Sequence, residues 1–334
     1  MTWQFEHVTL GQRVRFGTGT AAGDLAAEVE RLGSRRVLLI SGKPTEVTAK
    51  ITVAAHCTDV APHVPVENAE RARALAVESG ADLLVSVGGG STTGLAKAVA
   101  LITGLPIVAV PTTYAGSEAT NVWGLTEASR KTTGVDDRVL PVTVVYDTAL
   151  MASMPPDLAI ASGCNALAHC VDSLWAPRAD PINQALALEG VRALSRGLRR
   201  INDVEGRESM LCGAYLAAVA FASAGSGLHH KICHVLGGAY NLPHAQTHTA
   251  ILPHVLAFNA PAVPEAALRI TEALGGGLID LYDEIGASHQ LRGVPDVREA
   301  ARLVLPSVPP SNPRPVTEDD LIALLTAAQK GLDA

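Results

Sequence analysis

The first half of the chain alternates two hydrophobic patterns. Short, continuous apolar runs occur at Arg36-Val-Leu-Leu-Ile-Ser41, Asp82-Leu-Leu-Val-Ser-Val87, Pro106-Ile-Val-Ala-Val110 and Val142 to Tyr146. Each is bounded by turn residues, as expected of strands buried on both faces. Helical periodicity fills the intervals, over 24–32 with Gly33 as its stop, over 46–56 after the turn Gly42-Lys-Pro, over 67–79 ended by Gly80, and over 93–103. Residues 1 to 20 read as a β-rich entry, with Trp3-Gln-Phe followed by Val14-Arg-Phe16-Gly17; a short hairpin is expected over 122–135, and Val142 to Tyr146 is expected to close the sheet. This alternation predicts a parallel, Rossmann-like sheet with helices on both faces. From Ala149 onward no strand pattern is found. Helical patterning dominates there, broken at Pro155-Pro156, Pro177, Pro181, Pro243, Pro253 and the Pro-rich 306–315. The expectation is an α/β domain over 1–150 and an all-α domain over 151–334.

Composition narrows the function more than the fold. With 334 residues, 48% of them hydrophobic and 18% charged, two cores are within reach. A net charge of −7 argues against a nucleic-acid partner and means that an anionic ligand must be attracted locally. Leu211 to Leu228 is an uncharged run of 18 residues, but its Ala, Gly and Ser content suits a closely packed core helix better than a membrane span. The five cysteines form no Cys-x-x-Cys pair, and Met1-Thr-Trp-Gln-Phe-Glu lacks a charged-then-apolar signal pattern. The expectation is a cytoplasmic protein with reduced, buried thiols.

Candidate chemistry concentrates in two places. Five of the eleven histidines fall between 229 and 248. His230 and His234 are four apart and share a helix face. Upstream, Asn165 and His169 are spaced the same way on a second helix, in a run that ends Ala-His-Cys-Val-Asp. A lone histidine is usually an ordinary polar residue lining a helix. A cluster inside very apolar sequence points to a site. The second place is Gly88-Gly-Gly-Ser-Thr, between a strand and a helix. Glycines let the backbone approach a ligand, and the N–H groups that begin the helix favour an anion such as a pyrophosphate. The plain alternative is a tight turn, and the G-x-G-x-x-G fingerprint is absent. Ser41-Gly42-Lys43, after the first apolar strand of the alternation, carries no carboxylate for a ribose 2′-hydroxyl, which leaves NADPH as admissible as NADH.

These motifs resemble the iron-containing alcohol dehydrogenase superfamily, which shares a two-domain architecture with dehydroquinate synthase. The resemblance rests on Gly88-Gly-Gly-Ser, Pro111-Thr-Thr-x-Ala-Gly-Ser-Glu118, the Asn165/His169 helix, and His230-x3-His234 with Pro243-His244. A closer resemblance, to the maleylacetate reductases, is carried by His63-Val-Pro-Val-Glu67, Gly88 through Lys97, Lys131-Thr-Thr-Gly134, Val139-Leu-Pro141, Leu228-His-His-Lys231 and Leu252-Pro-His-Val-Leu-Ala-Phe-Asn259. It implies reduction of the C=C bond of maleylacetate to 3-oxoadipate with NADH or NADPH in aromatic catabolism, by a homodimer acting on a small dicarboxylate, with no nucleic-acid or membrane partner. The superfamily's metal positions fall on Asn165, His169, His230 and His244. The first is normally Asp. An amide is a poor ligand and removes the one formal negative charge, so no metal requirement is expected. Were an ion bound, His169, His230 and His244 would hold it.

The resemblance and the spacing together assign expected roles. His230 and His234 face the nicotinamide and reacting carbons, and one of them steadies an enolate or donates the proton, as an imidazolium or a neutral donor. His169 and His244 complete the polar wall, with Asn165 as a neutral partner. Lys231 is a candidate for the substrate carboxylate. His229, turned away from His230, is not placed in the wall. Gly88, Gly89, Gly90 and Ser91 hold pyrophosphate, Thr112, Thr113 and Tyr114 line the carboxyl edge of the sheet, and Lys97 approaches the nucleotide. The main rival is a metal-dependent alcohol or polyol dehydrogenase. A dehydroquinate-synthase-like lyase would bind NAD without net turnover, and a nucleotide-binding protein without chemistry would have no use for the histidines.

Overall fold

The computed structural model describes residues 4–127 and 130–331, with only the backbone of Arg130 and Lys131. It divides into two compact units, Leu10–Met154 and a second made of the first nine residues with the chain from Pro155 onward. Trp3 lies outside the described residues.

In the first unit the chain runs β1 (Arg13–Gly17), α1 (Ala21–Arg31), β2 (Val37–Ile40), β3 (Val53–Cys57), α2 (Val66–Glu78), β4 (Leu83–Gly88), α3 (Gly90–Thr103), β5 (Ile107–Pro111), β6 (Val122–Glu127), β7 (Arg130–Val135), β8 (Thr143–Asp147) and the single turn α4 (Thr148–Met151). Six strands form one sheet in the order β1-β8-β5-β4-β2-β3, and each of its pairings is parallel. Because side chains alternate across a strand, Leu38, Ile40 and Leu84 pack with Ala69, Ala72, Leu95 and Val99 of α2 and α3 on one face. Val37, Leu39, Leu83 and Val85 pack with Leu25 of α1 on the other. β6 and β7 make a separate antiparallel hairpin.

Two expectations fail here. The helix expected over 46–56 is a 3-10 turn at Glu46–Thr48 followed by β3. Val53, Ala55 and Cys57 alternate with more exposed neighbours on an edge strand, a period of two that the longer helical window concealed. Val142 to Tyr146 does not finish the sheet either. It enters between β5 and β1, so the edge belongs to the N-terminal strand.

The second unit contains α5 (Pro156–Ser173), α6 (Pro181–Arg199), α7 (Val204–Ala224), α8 (Leu228–Tyr240), α9 (His244–Asn259), α10 (Pro264–Leu274), α11 (Leu278–Ile285), α12 (Val297–Val304) and α13 (Glu318–Lys330). The uncharged run 211–228 is not one helix. α7 stops at Ala224 because Gly225 takes φ +89°, and α8 sets off at 96° to it. Among the described residues no single helix is long and apolar enough to cross a membrane; α7 and α8 together meet that composition only as a bent pair. Of the β-rich entry, Val14-Arg-Phe16-Gly17 lies in β1 of the sheet, whereas residues 4–9 go with this unit. His7 Nδ1 lies 2.8 Å from Asp180 Oδ2 and 3.2 Å from Ser223 Oγ. Of the five free cysteines, four are buried as expected and Cys212 is exposed.

Candidate active site

Each unit carries one half of the predicted chemistry. In the sheet unit, β2 leads to β3 on one side of the sheet, whereas β4 and β5 follow on the other. The direction of winding therefore reverses between β2 and β4, and open α/β sheets bind ligands at the carboxyl ends of such strands. The segments there are Ser41-Gly42-Lys43 and Gly88-Gly89-Gly90-Ser91. Gly88 aligns with Pro111, and Thr112 N donates to Gly88 O at 3.0 Å, which sets the glycine turn beside Thr112 and Thr113. A Cβ on Gly88 would lie 2.4 Å from Thr92 Oγ1, and one on Gly89 would lie 3.0 Å from Thr113 Cγ2. The turn therefore requires glycine at Gly88, and Gly89 starts α3 as an N-cap without a side-chain cap. Gly89, Gly90, Ser91, Thr112 and Thr113 remain partly accessible.

Lys97 and Tyr114 stand elsewhere. Lys97 is fully buried, and its ammonium donates to Thr120 O at 2.7 Å, Thr120 Oγ1 at 3.0 Å and Val122 O at 2.8 Å. Its three donors are engaged, so it ties α3 to the start of the hairpin instead of reaching a nucleotide. Burial lowers its pKa to about 7, against the pull of Glu118. Glu118 is itself buried, with its pKa raised by burial, and accepts from Tyr146 Oη at 2.8 Å. Tyr114 is buried among the core side chains.

In the helical unit, α5 is so apolar and small that it is buried on nearly every side. Asn165, His169 and Asp172 fall at i, i+4 and i+7 on it, one face of the helix. Asp172 anchors the start of α8. Its Oδ2 accepts from Gly227 N at 3.2 Å, from His230 N at 3.1 Å and from His230 Nδ1 at 2.7 Å. A carboxylate on α5 thus caps the first turn of α8, where the N-cap is a glycine with no side chain to do so. The glycine is needed, since a Cβ on Gly227 would lie 2.5 Å from Asp172 Oδ1. The ring bond leaves His230 Nε2 as the remaining nitrogen, buried without a hydrogen-bond partner.

Six imidazoles form a continuous group. His169 and His230 are nearly parallel with centroids 4.7 Å apart, and Phe221 covers both at 4.8 and 4.4 Å. His230 and His234 are 5.9 Å apart on α8, while His244 and His248 are 4.3 Å apart on α9. His234 and His244 face each other at 6.2 Å. His229 Nε2 and His248 Nδ1 share a hydrogen bond of 2.9 Å. His229 is therefore part of the cluster, contrary to the expectation from spacing. A turn of 100° from His230 moves it not to solvent but toward α9, which packs against α8. His248, one helical turn beyond His244, is a further member that the spacing alone could have nominated.

Exposure grades the cluster. His229, His230 and His248 are at most 1% exposed, His234 is partly accessible, and His244 is open to solvent. His230 thus lies at the back of the cluster, and His234 and His244 are its more accessible rings. Burial depresses the pKa of His169 to about 4 and of His229 to about 3, and it holds His230 and His248 well below their ordinary values. Burial thus disfavours the imidazolium form of these four rings and favours the neutral one. Burial also pushes the Asp172 carboxyl up to about 7, although the N–H groups around it and Lys231 pull it down. Charge separation across this buried pair is disfavoured from both sides, and the bond is a neutral imidazole donating to the carboxyl group. Lys231 is partly buried and acts on Asp172 through its charge.

The metal positions implied by the resemblance do not fit an ion well. Asn165 Oδ1 is buried with no hydrogen-bond partner, but it is a neutral amide. Among the described residues, the group of histidine, cysteine or acidic side chains whose donor atoms lie within 4.8 Å of one another is His229, His230 and His248; His169 and His244 are outside it.

Comparison with known proteins agrees with both halves. Residues 11–148 match the family model for iron-containing alcohol dehydrogenase, and residues 159–329 match that for the C-terminal part of the same family. A maleylacetate reductase of Sphingobium indicum is 45% identical, with 98% of each chain covered. The crystal structure of an iron-containing alcohol dehydrogenase from Corynebacterium glutamicum superposes with a TM-score of 0.97 at 55% identity, covering 100% of this chain and 99% of that one. That of a maleylacetate reductase from a Rhizobium species gives 0.92 at 38% identity, with 99% of each chain covered. From the glycine turn to the paired-histidine helices, this chain belongs to the iron-containing alcohol dehydrogenase family.

Proposed function

We propose that this enzyme reduces the C=C bond of maleylacetate with NADH or NADPH to give 3-oxoadipate. The observation that carries the reading is full-length identity of 45% to a maleylacetate reductase, and the chemistry of the imidazole cluster agrees with it. Hydride adds to the alkene carbon β to the ketone, the electron pair moves onto the ketone oxygen, and the enolate collects a proton at the α carbon. An imidazole N–H can stabilise that oxygen, and a protonated ring can deliver the proton to carbon and be left as neutral imidazole. His234 is assigned this work, with His244 and Asn165 completing the wall and Lys231 balancing substrate charge. The glycine turn takes the pyrophosphate, and the absence of a carboxylate at Ser41-Gly42-Lys43 keeps both nicotinamide cofactors admissible. A metal is not required in this reading, and a homodimer in the cytoplasm is the expected working form.

A metal-dependent alcohol dehydrogenase is the second reading, favoured by the name of the Corynebacterium glutamicum relative. One assay separates them. NADH absorbance should fall with maleylacetate, with or without a chelator, and should stay flat with simple aldehydes. Oxidation of alcohols restored by Fe²⁺ or Zn²⁺ after chelation would reverse the assignment.

A further inference from the structure

The motif His63-Val-Pro-Val-Glu67 closes the loop between β3 and α2, and the reduction chemistry makes no use of it. Its backbone is unusual. His63 takes φ +61° and Val64 φ +50°, two successive residues other than glycine in the left-handed region. Among the described residues the one further case is Asn241, which has a plain cause as the C-cap of α8. A β-branched valine at positive φ is strained, and such strain persists only where the surroundings enforce it. The enforcing contacts come from β6. Thr126 N donates to Val64 O at 3.0 Å, Thr126 Oγ1 donates to His63 O at 2.8 Å, and Pro65 bridges to Thr126. Val64 is buried against α3, where a Cβ on Gly94 would lie 2.9 Å from Val64 Cγ2. Packing therefore accounts for the valine. It does not account for His63, which stays partly accessible and where glycine would hold the same φ without cost.

The position of the loop supplies the missing reason. β3 lies beside β2 and β2 beside β4, all parallel, so the loop leaves the same carboxyl edge as the glycine turn. Gly94 is four residues beyond Gly90, the first residue of α3. It therefore shares a face with Gly90 and lies one turn, about 6 Å, further along the axis. Val64 thus packs one turn behind the glycine cradle, and His63 is its neighbour in the chain. We propose that His63 is a binding residue for the pyrophosphate of the dinucleotide: its ring N–H donates to a phosphate oxygen held at Gly89, Gly90 and Ser91, and the turn clamped by Thr126 holds the ring to that task. The proposal rests on the reading of the glycine turn as a dinucleotide cradle.

Calorimetric titration of the whole protein with NADH, NADPH and ADP-ribose separates the two. Wild-type protein that bound none of them would remove the cradle and this proposal with it. Once wild-type binding is seen, the variants judge His63 alone. His63→Ala should raise the Kd of all three ligands by a common factor, roughly 10- to 100-fold for a lost hydrogen bond to a charged group. His63→Asn, which tolerates positive φ and keeps an N–H donor, should recover part of the loss. His63→Gly should bind as poorly as His63→Ala yet unfold at a higher temperature, because glycine alone of the two is relaxed at φ +61°. Unchanged affinity in His63→Ala would overturn the assignment. So would full affinity in His63→Gly, since the turn and not the ring would then matter. A loss confined to NADPH would move the ring to a 2′-phosphate, and a loss with NADH but not ADP-ribose would move it to the nicotinamide; either result would also end the pyrophosphate role.

Discussion

At the scale of single residues, two side chains show how burial redirects a sequence motif. Lys97 lies two turns into the helix that starts at the glycine turn, a place where a lysine could meet phosphate. In the folded unit its ammonium is enclosed by Thr120 and Val122, and the apparent phosphate ligand becomes a tether. Lys97→Met should leave buried carbonyls unpaired and lower stability by about 1–3 kcal/mol, with NADH affinity unchanged in the folded fraction. Weaker NADH binding at an unchanged denaturation midpoint would return Lys97 to the nucleotide site. His234 is the contrasting case, partly accessible beside a buried floor of rings. His234→Ala should lower kcat by about 100-fold or more while the Kd for NADH holds, in line with loss of a general acid. Full turnover in that variant would take His234 out of the chemistry.

At the scale of elements, close packing in the helical unit depends on glycines that periodicity cannot rank. α6 and α7 meet at Gly190 and Gly197 on one helix and Gly206 and Gly213 on the other. A Cβ on Gly197 would stand 2.7 Å from Gly206 O and 2.8 Å from Met210 N, both backbone atoms that cannot rotate away. Gly197→Ala should therefore separate the helices and destabilise the protein by about 1–3 kcal/mol, although alanine is the better helix former. Equal or greater resistance to urea would mean that the helices have slack there. The same scale explains where periodicity misleads. The segment 46–56 and the run 211–228 each carry the pattern of one helix. The first is an edge strand with only partial burial. The second bends at Gly225, whose positive φ places the histidine helix across the end of its predecessor.

At the scale of the whole molecule, the buried imidazoles control acid stability. In the unfolded chain each ring titrates near 6.5, while in the native state His169 and His229 titrate at about 4 and 3, and His230 and His248 also well below 6.5. Below pH 6.5 the unfolded chain thus binds more protons, and stability falls as pH falls, by up to about 1.4 kcal/mol per pH unit for each ring. Asp172 opposes this. Its carboxyl, raised to about 7, lets the native state bind the extra proton between about pH 4 and 7, so its contribution grows as pH falls. Four rings outweigh one carboxyl, and the thermal midpoint should drop between pH 7 and pH 5. A midpoint that held steady or rose over that interval would contradict the neutral, desolvated rings.

The strand–helix alternation outside 46–56, the parallel sheet, the glycine turn and the paired histidines on α8 were determined by the sequence itself, because each rests on local periodicity, a turn requirement or a spacing of four. Tertiary structure alone decided which polar groups meet. Asp172 reaches α8 only because α5 packs on it, and His229 joins His248 only because α9 covers a face that looked outward in the isolated helix. Lys97 loses its access to ligand through the hairpin folded over it. Contacts between residues distant in sequence, and the desolvation that comes with them, leave no period in the chain to read.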